Sequence, residues 1–483
     1  MRIVRLSLAS LLLAASLPVL ADTPPAADPL LGTWTGQVHD GAQMRPFGLR
    51  FVAGKSAVPD LLWTLPEANL SDYGPIPMVL HDGWYDEAEQ DHYDLKVRFA
   101  GDPEHLTGVL AFDGHTLPFD LVRGPLPAAA PRDTGGTAAT PLWSFKSGGA
   151  IWSTPAFADG RVYFGGDDGR IYALDAASGK PVWSVATGGA VLCPAALDGA
   201  YLYCLSDDGF LYKLARKDGK RVWRFDTHGG KVKRLGYDRL TSGAVIADGL
   251  LYIGSADGSL YALDPKSGKE RWHYATQGMV RSTPAVAEGR VYFGSYDHAL
   301  YALDAKTGQV AWRKDTRMPV VSTPLVADGQ VYIGSRNADF YALDAKTGAT
   351  LWRKFYWVSW VESSARLADG VLYVGSSDCL EFYALDPKTG EERWRFNAGG
   401  EAWTIPALDS GRLYVGSVGY KGYGRFGGFY ALDRASGKPV WRFEMPPGGD
   451  ERGYGVAGSP VLGDGRVYFG DLDGVFYAFA TGG

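Results

Sequence analysis

Cysteine is almost missing from this chain: three residues in 483, so disulfides do not build its fold. Excess positive charge is missing too. The 48 Lys and Arg are outnumbered by 54 Asp and Glu, a formal charge of −6, which excludes the basic surface that nucleic-acid phosphates require. No basic amphipathic helix points to a membrane surface. Long hydrophobic runs are confined to the start, where Leu6 to Leu20, interrupted by Pro18, is too short for a stable span. The chain has no G-x-S-x-G, S-x-x-K, C-x-x-C or P-loop, which removes the common nucleophile and phosphate-cradle chemistries. H-x-H, H-E-x-x-H and calcium-loop spacings are also missing, so no metal site is expected.

That apolar run follows Arg2 and Arg5 and ends at Val19-Leu20-Ala21, a small-residue cleavage point before Asp22. Residues 1–21 read as a secretory signal peptide, and the mature chain as a periplasmic or secreted protein without a membrane span. With no Cys near the cleavage point, no lipid anchor is expected; losing the two arginines takes the charge from −6 to −8. In an oxidising compartment Cys193 and Cys204 draw notice, because they flank Asp198-Gly199. A two-residue hairpin there would set them opposite each other. A cross-strand disulfide and two free thiols both remain open, since that pair would have the hydrogen-bonded geometry less suited to bridging. Cys379 has no evident partner.

Glycine, by contrast, is abundant at 64 residues, as dozens of tight turns require. The turns belong to a repeat. Tyr recurs in a Tyr-x-Leu/Phe element at 172, 212, 261, 301, 341, 383, 430 and 477, spaced 40 to 49 residues apart. Around it runs A-x-D-x-x-[ST]-G-x-x-x-W, clearest from Ala173 to Trp183, with Trp143, Trp183, Trp223, Trp272, Trp312, Trp352, Trp394 and Trp441 at matching positions. Four short strands per ~40-residue repeat indicate a propeller of eight blades over 141–483. The two series are offset: Trp143 precedes the first Tyr and no Trp follows Tyr477. A strand from 141–145 should therefore complete the last blade and close the ring. Each blade is read as strands A to D, with hairpin turns between A and B at Asp159-Gly160, Asp198-Gly199, Asp248-Gly249, Glu288-Gly289, Asp328-Gly329, Asp369-Gly370, Ser410-Gly411 and Asp464-Gly465. The Trp series reads as structural docking between adjacent blades, each indole N–H paired. Asp167-Asp168-Gly169 and Asp207-Asp208-Gly209 read as turns whose carboxylates satisfy backbone N–H groups, not as catalytic pairs.

Residues 28–124 lack the repeat. Alternation in Tyr93, Leu95, Val97 and Phe99, in Leu106 to Phe112, and in Leu117, Phe119 and Leu121 predicts a small antiparallel barrel-like domain filled by its own side chains. Its histidines (His39, His81, His92, His105 and His115) read as solvated loop groups, and 125–140, rich in Ala, Pro, Gly and Thr, as a linker. Gly32-Thr33-Trp34-Thr35-Gly36 resembles the first strand of calycin-like barrels and small β modules of secreted bacterial proteins. The whole chain is thus expected to be all-β, an eight-bladed propeller preceded by a small β-barrel-like domain.

The eleven-residue motif resembles the tryptophan-docking repeat of pyrroloquinoline quinone (PQQ)-type propellers. That resemblance implies one of two classes: quinone-dependent alcohol dehydrogenases, or cofactor-free scaffolds similar to the outer-membrane assembly factor BamB. The dehydrogenases clamp PQQ with a disulfide between adjacent cysteines and hold calcium with Glu, Asn and Asp. This chain has no Cys-Cys, and its only propeller asparagines are Asn337 and Asn397. The reading is therefore a non-enzymatic, monomeric scaffold that binds a periplasmic or envelope protein and needs no cofactor. A PQQ- and calcium-dependent dehydrogenase and a carbohydrate or small-ligand binder are the alternatives. Strand order puts the variable B–C and D–A loops on one rim, where binding residues sit on a rigid scaffold. On that rim near the axis, Trp152, Arg281, Arg317, Trp357, Trp360, Glu362 and Trp403 are the candidate anchors.

Overall fold

Alternating apolar residues and paired turn glycines leave almost no helix among the described residues. A computed structural model describes residues 29–482 except 41–42, 55–57, 67–69, 88–92, 101, 113–114, 129–130, 232–238, 240, 358, 421–423 and 448–452. The signal-peptide segment and His92 lie outside the described residues. No described helix is long and apolar enough to cross a membrane.

The N-terminal unit is one nine-stranded antiparallel sheet: β1 (Gly32–Asp40), β2 (Gln43–Val52), β3 (Asp60–Leu65), β4 (Leu70–Ile76), β5 (Met78–His81), β6 (Trp84–Glu87), β7 (Tyr93–Phe99), β8 (His105–Phe112) and β9 (His115–Arg123). Its order, 4-3-2-1-9-8-7-6-5, pairs the first strand with the last and leaves one seam between β4 and β5. The result is a nearly closed barrel. Trp34, Phe47, Leu49, Trp63, Leu95, Val97, Leu110, Phe119 and Leu121 fill it, all at most 1% exposed. Period-two burial along β9 is the alternation read from the sequence.

Eight blade sheets follow, seven of four strands and one, in blade 7, of six. In blade 4, strands A to D are Ala285–Ala287, Arg290–Ser295, Ala299–Asp304 and Val310–Asp315. Blade 8 takes its D strand, Trp143–Lys146, from the other end of the domain, Ser144 lying opposite Tyr477 and Trp143 opposite Ala478. The ring closes as the offset of the two series required. Seven docking indoles donate to a backbone carbonyl of the next blade, from Trp143 Nε1 to Ala176 O (3.1 Å) through Trp394 Nε1 to Arg434 O (3.0 Å). The motif Gly beneath each ring has positive φ and no room for a Cβ; at Gly308 a Cβ would stand 2.7 Å from Trp272. Trp441 is the exception to the paired series. Blade 8 carries no motif after its C strand, and the buried Trp441 Nε1 finds no partner among the described residues.

Six A–B turns use the expected Asp-Gly or Glu-Gly pair with both residues at positive φ, as in Asp159 (+51°) and Gly160 (+67°). Blade 2 corrects the reading: Asp198 pairs with Tyr201, so its loop is Gly199-Ala200 with Gly199 at +54°. That one-residue shift removes the direct opposition of Cys193 and Cys204. Cys193 lies before strand A, where its sulfur accepts the Leu205 N–H at 3.1 Å, and both cysteines are buried free thiols. Burial and the neighbouring Cys193 side chain together push the Cys204 thiol upward, the hydrogen bond with Cys193 leading.

The segment read as a linker is tied down. β10 (Thr137–Ala138) adds in parallel to strand D of blade 7, Pro439–Glu444, as a fifth strand. The barrel in turn packs on blades 5 and 6 through its β1–β2 and β8–β9 ends. His115 Nε2 lies 3.4 Å from Asp339 Oδ2, both buried, and its ring stacks on Phe355 at 3.9 Å. His115 is therefore a seam residue, not the solvated loop group expected of it. Docking of the β8–β9 end against Asp339 and Phe355 of blade 5 buries it.

Candidate functional site

The innermost turn of every blade, just before strand A, faces the axis. Side-chain hydroxyls knit these turns into a ring: Thr283 Oγ1 accepts from Gly243 N–H (2.8 Å), Ser364 Oγ from Thr323 N–H (2.7 Å) and Ser459 Oγ from Ile405 N–H (2.8 Å). Thr154 Oγ1 closes it by accepting from Ser459 N–H at 3.1 Å. On the loop-rich side this ring opens into a cavity of about 100 Å³.

Four expected anchors meet there: Trp152, Arg281, Glu362 and Trp403 line the cavity. The Trp152 and Trp403 rings stack with centroids 6.4 Å apart and planes at 28°, and Trp403 Nε1 donates to Ser377 Oγ at 3.0 Å. Trp360 stands beside them under the Arg336 guanidinium, 4.7 Å from ring centre to Cζ. Two of the seven lie elsewhere. Trp357, 5% exposed, faces the barrel, with the Arg45 guanidinium 5.5 Å over its ring, so it is a seam residue and not a mouth residue. Arg317 is exposed on the rim but does not line the cavity. Both follow directly after a D strand, at the perimeter end of a loop that only later reaches the axis.

Sequence reasoning missed two arginines. Arg336 holds Glu362 in a buried pair at 2.5 Å and reaches over Tyr296. Arg239 lies over Trp152 at 5.9 Å and 3.6 Å from Asp167. Arg336 could have been found: it occupies the B–C loop position held elsewhere by Asp167, Asp207, Ala256, Tyr296, Ser377 and Leu472. Arg239 falls in an insertion with no repeat frame.

The neighbouring B–C aspartates are structural, as read from the sequence. Asp168 Oδ1 accepts from Arg170 N–H at 3.1 Å and Asp208 Oδ1 from Phe210 N–H at 3.0 Å. Their other oxygens take the Tyr172 and Tyr212 hydroxyls. Burial, helped by Asp168, pushes Tyr172 up to about 12. Among the described residues no three of His, Cys, Asp or Glu gather as a metal-ligand set.

Behind the mouth, Arg425 bridges Glu401 and Asp378, the latter at 3.1 Å. Burial, then repulsion from Asp378, raises Glu401 to about 8 against the pull of Arg425. A carboxyl that binds its proton more tightly folded than unfolded favours folding below its ordinary pKa near 4.5, and that contribution is lost as pH rises through about 8. Glu401→Gln is expected to flatten the decline in melting temperature between pH 4.5 and 8.5. Equal slopes for both proteins in a calorimetric pH series would contradict the assignment.

One family of repeat sequences matches 132–283, 233–354, 276–379 and 380–482. Its description is outer membrane protein assembly factor BamB. The chain belongs to this BamB family of PQQ-like propellers. No curated protein matches the chain in sequence. Among solved structures, BamB from Moraxella catarrhalis is 19% identical with a TM-score of 0.50, covering 71% of this chain and 93% of its own. The quinohemoprotein alcohol dehydrogenase from Comamonas testosteroni is 15% identical with a TM-score of 0.57, covering 72% and 77%. The computationally designed Ika8 protein is 16% identical with a TM-score of 0.56, covering 71% and 100%. At these identities the likeness establishes the propeller fold, and activity has to come from the site.

Proposed function

We propose that this chain is a cell-envelope scaffold that docks a polypeptide partner on its loop-rich rim, with side-chain anchors entering the axial mouth. The observation that carries this reading is the mouth itself: two stacked tryptophans and buried Arg281 and Arg336 around only about 100 Å³. Small-molecule pockets run to ~300–1,000 Å³, so this space suits one or two side chains better than a whole cofactor. Trp and Arg at the centre of a concave surface are the residue types that dominate interface energetics. The family description, outer membrane protein assembly, supports an envelope partner, and a signal peptide over 1–21 would place the mature chain in the periplasm or outside the cell.

PQQ with calcium has less behind it. The space is small, the adjacent-cysteine clamp is missing from the sequence, and no carboxylate cluster assembles among the described residues. A carbohydrate site would need Trp152 and Trp403 to offer free ring faces, whereas each is half-buried and turned toward the other. Trp403→Ala is expected to weaken capture of the envelope partner at least tenfold while melting within a few degrees of the parent. Pull-down from envelope extract, with melting recorded alongside, checks this; unchanged capture would overturn the proposal.

A further inference from the structure

The chain itself shows how the outer edge of a blade can take an added strand. At blade 7, β10 lies parallel to strand D, with Ala139 N–H donating to Arg442 O at 2.8 Å. The Arg442 guanidinium clamps the incoming backbone, donating to the carbonyls of Thr134, Gly135 (2.8 Å) and Gly136 (3.1 Å). The approach demands small residues: a Cβ on Gly135 or Gly136 would stand 3.1 or 3.0 Å from Pro439 or Val440.

Arg442 is the residue after the docking Trp441, and Arg353 holds the same repeat position after Trp352. In blade 5, strand D (Thr350–Phe355) is the outermost strand of its sheet, with no fifth strand among the described residues. By repeat equivalence the Arg353 N–H and C=O point outward, as those of Arg442 do. Beside them lies a cavity of 530 Å³, lined by Arg353, Lys354 and Phe355 on one side and by Glu391, Glu392 and Arg395 of blade 6 on the other. The barrel roofs it with Asp40 and Arg45 from the β1–β2 hairpin. Arg353 is half exposed and already oriented by Asp339 at 3.2 Å, so its guanidinium is held at the groove.

We propose that this groove binds an extended segment of another polypeptide, rich in small residues, as a parallel fifth strand on blade 5 with Arg353 taking its carbonyls. Main-chain pairing supplies the affinity and the walls bearing both charge signs select the side chains. This surface lies at the perimeter, apart from the axial mouth, and neither proposal requires the other.

The probe is a fluorescently labelled synthetic peptide with the sequence of residues 131–140, titrated against the full chain by anisotropy. Saturable binding is expected, weakened at least tenfold by Arg353→Ala and unchanged by Arg313→Ala, the same repeat position in blade 4, or by Trp403→Ala at the mouth. Hydrogen exchange at the Arg353 and Phe355 amides should slow when peptide is added to the unaltered protein, a readout that does not depend on any variant folding. No binding, equal loss in the Arg353 and Arg313 variants, or protection at other edges instead would overturn the proposal.

Discussion

Gly308→Ala is expected to cost about 3 kcal/mol of stability. Two effects add. The residue holds φ at +74°, which costs a side chain ~1–2 kcal/mol. Its new Cβ would also sit 2.7 Å from Trp272 Cε3, and overpacking of that kind costs ~1–3 kcal/mol. Gly289→Ala separates them, because Gly289 has the same φ of +74° but nothing within 4 Å of a Cβ. It should lose only the backbone part. Urea unfolding of both variants measures the difference, and equal losses would show that the Trp–Gly contact does not hold neighbouring blades together.

Phe145→Pro should do more, because it strikes the strand that closes the wheel. Phe145 sits mid-strand opposite Phe476 with its N–H turned toward that strand, in step with Ser147 N–H, which donates to Gly474 O at 2.8 Å. A proline there removes a ladder donor, at ~3 kcal/mol or more, and frees blade 8 to open. The unpaired C strand of blade 8 would then be an exposed edge, so dimers or larger species should form on heating. Calorimetry with size-exclusion chromatography checks both expectations. A melting temperature within two degrees of the parent, with no new species, would contradict closure by this strand.

The wheel was legible because its signals are local and repeated: paired turn residues, Tyr-x-Leu and a Trp at fixed spacing. Where a single residue changed the local chemistry, the reading slipped. Gly199-Ala200 forms a turn with one positive φ, displacing by one residue the register on which the Cys193–Cys204 geometry depended. The site was legible to the extent that position along a loop encodes radius. Arg281, Glu362 and Trp403 come late in their D–A loops and reach the axis, whereas Arg317 and Trp357 come early and stay at the perimeter. Trp357, at φ +55°, also meets the barrel, a contact between segments more than 200 residues apart that no local pattern announces. The same is true of His115 and Asp339, whose pairing exists only once two separately readable units meet.

The claim that the loop-rich mouth receives a polypeptide is tested most directly by placing a photo-activated cross-linking residue at Arg317, exposed on the loop-rich rim outside the mouth, and, separately, at Lys306 on the opposite rim. Irradiation in intact envelopes should trap a discrete protein adduct from position 317 and none from position 306. Adducts of equal yield from both rims, or none from position 317, would contradict it.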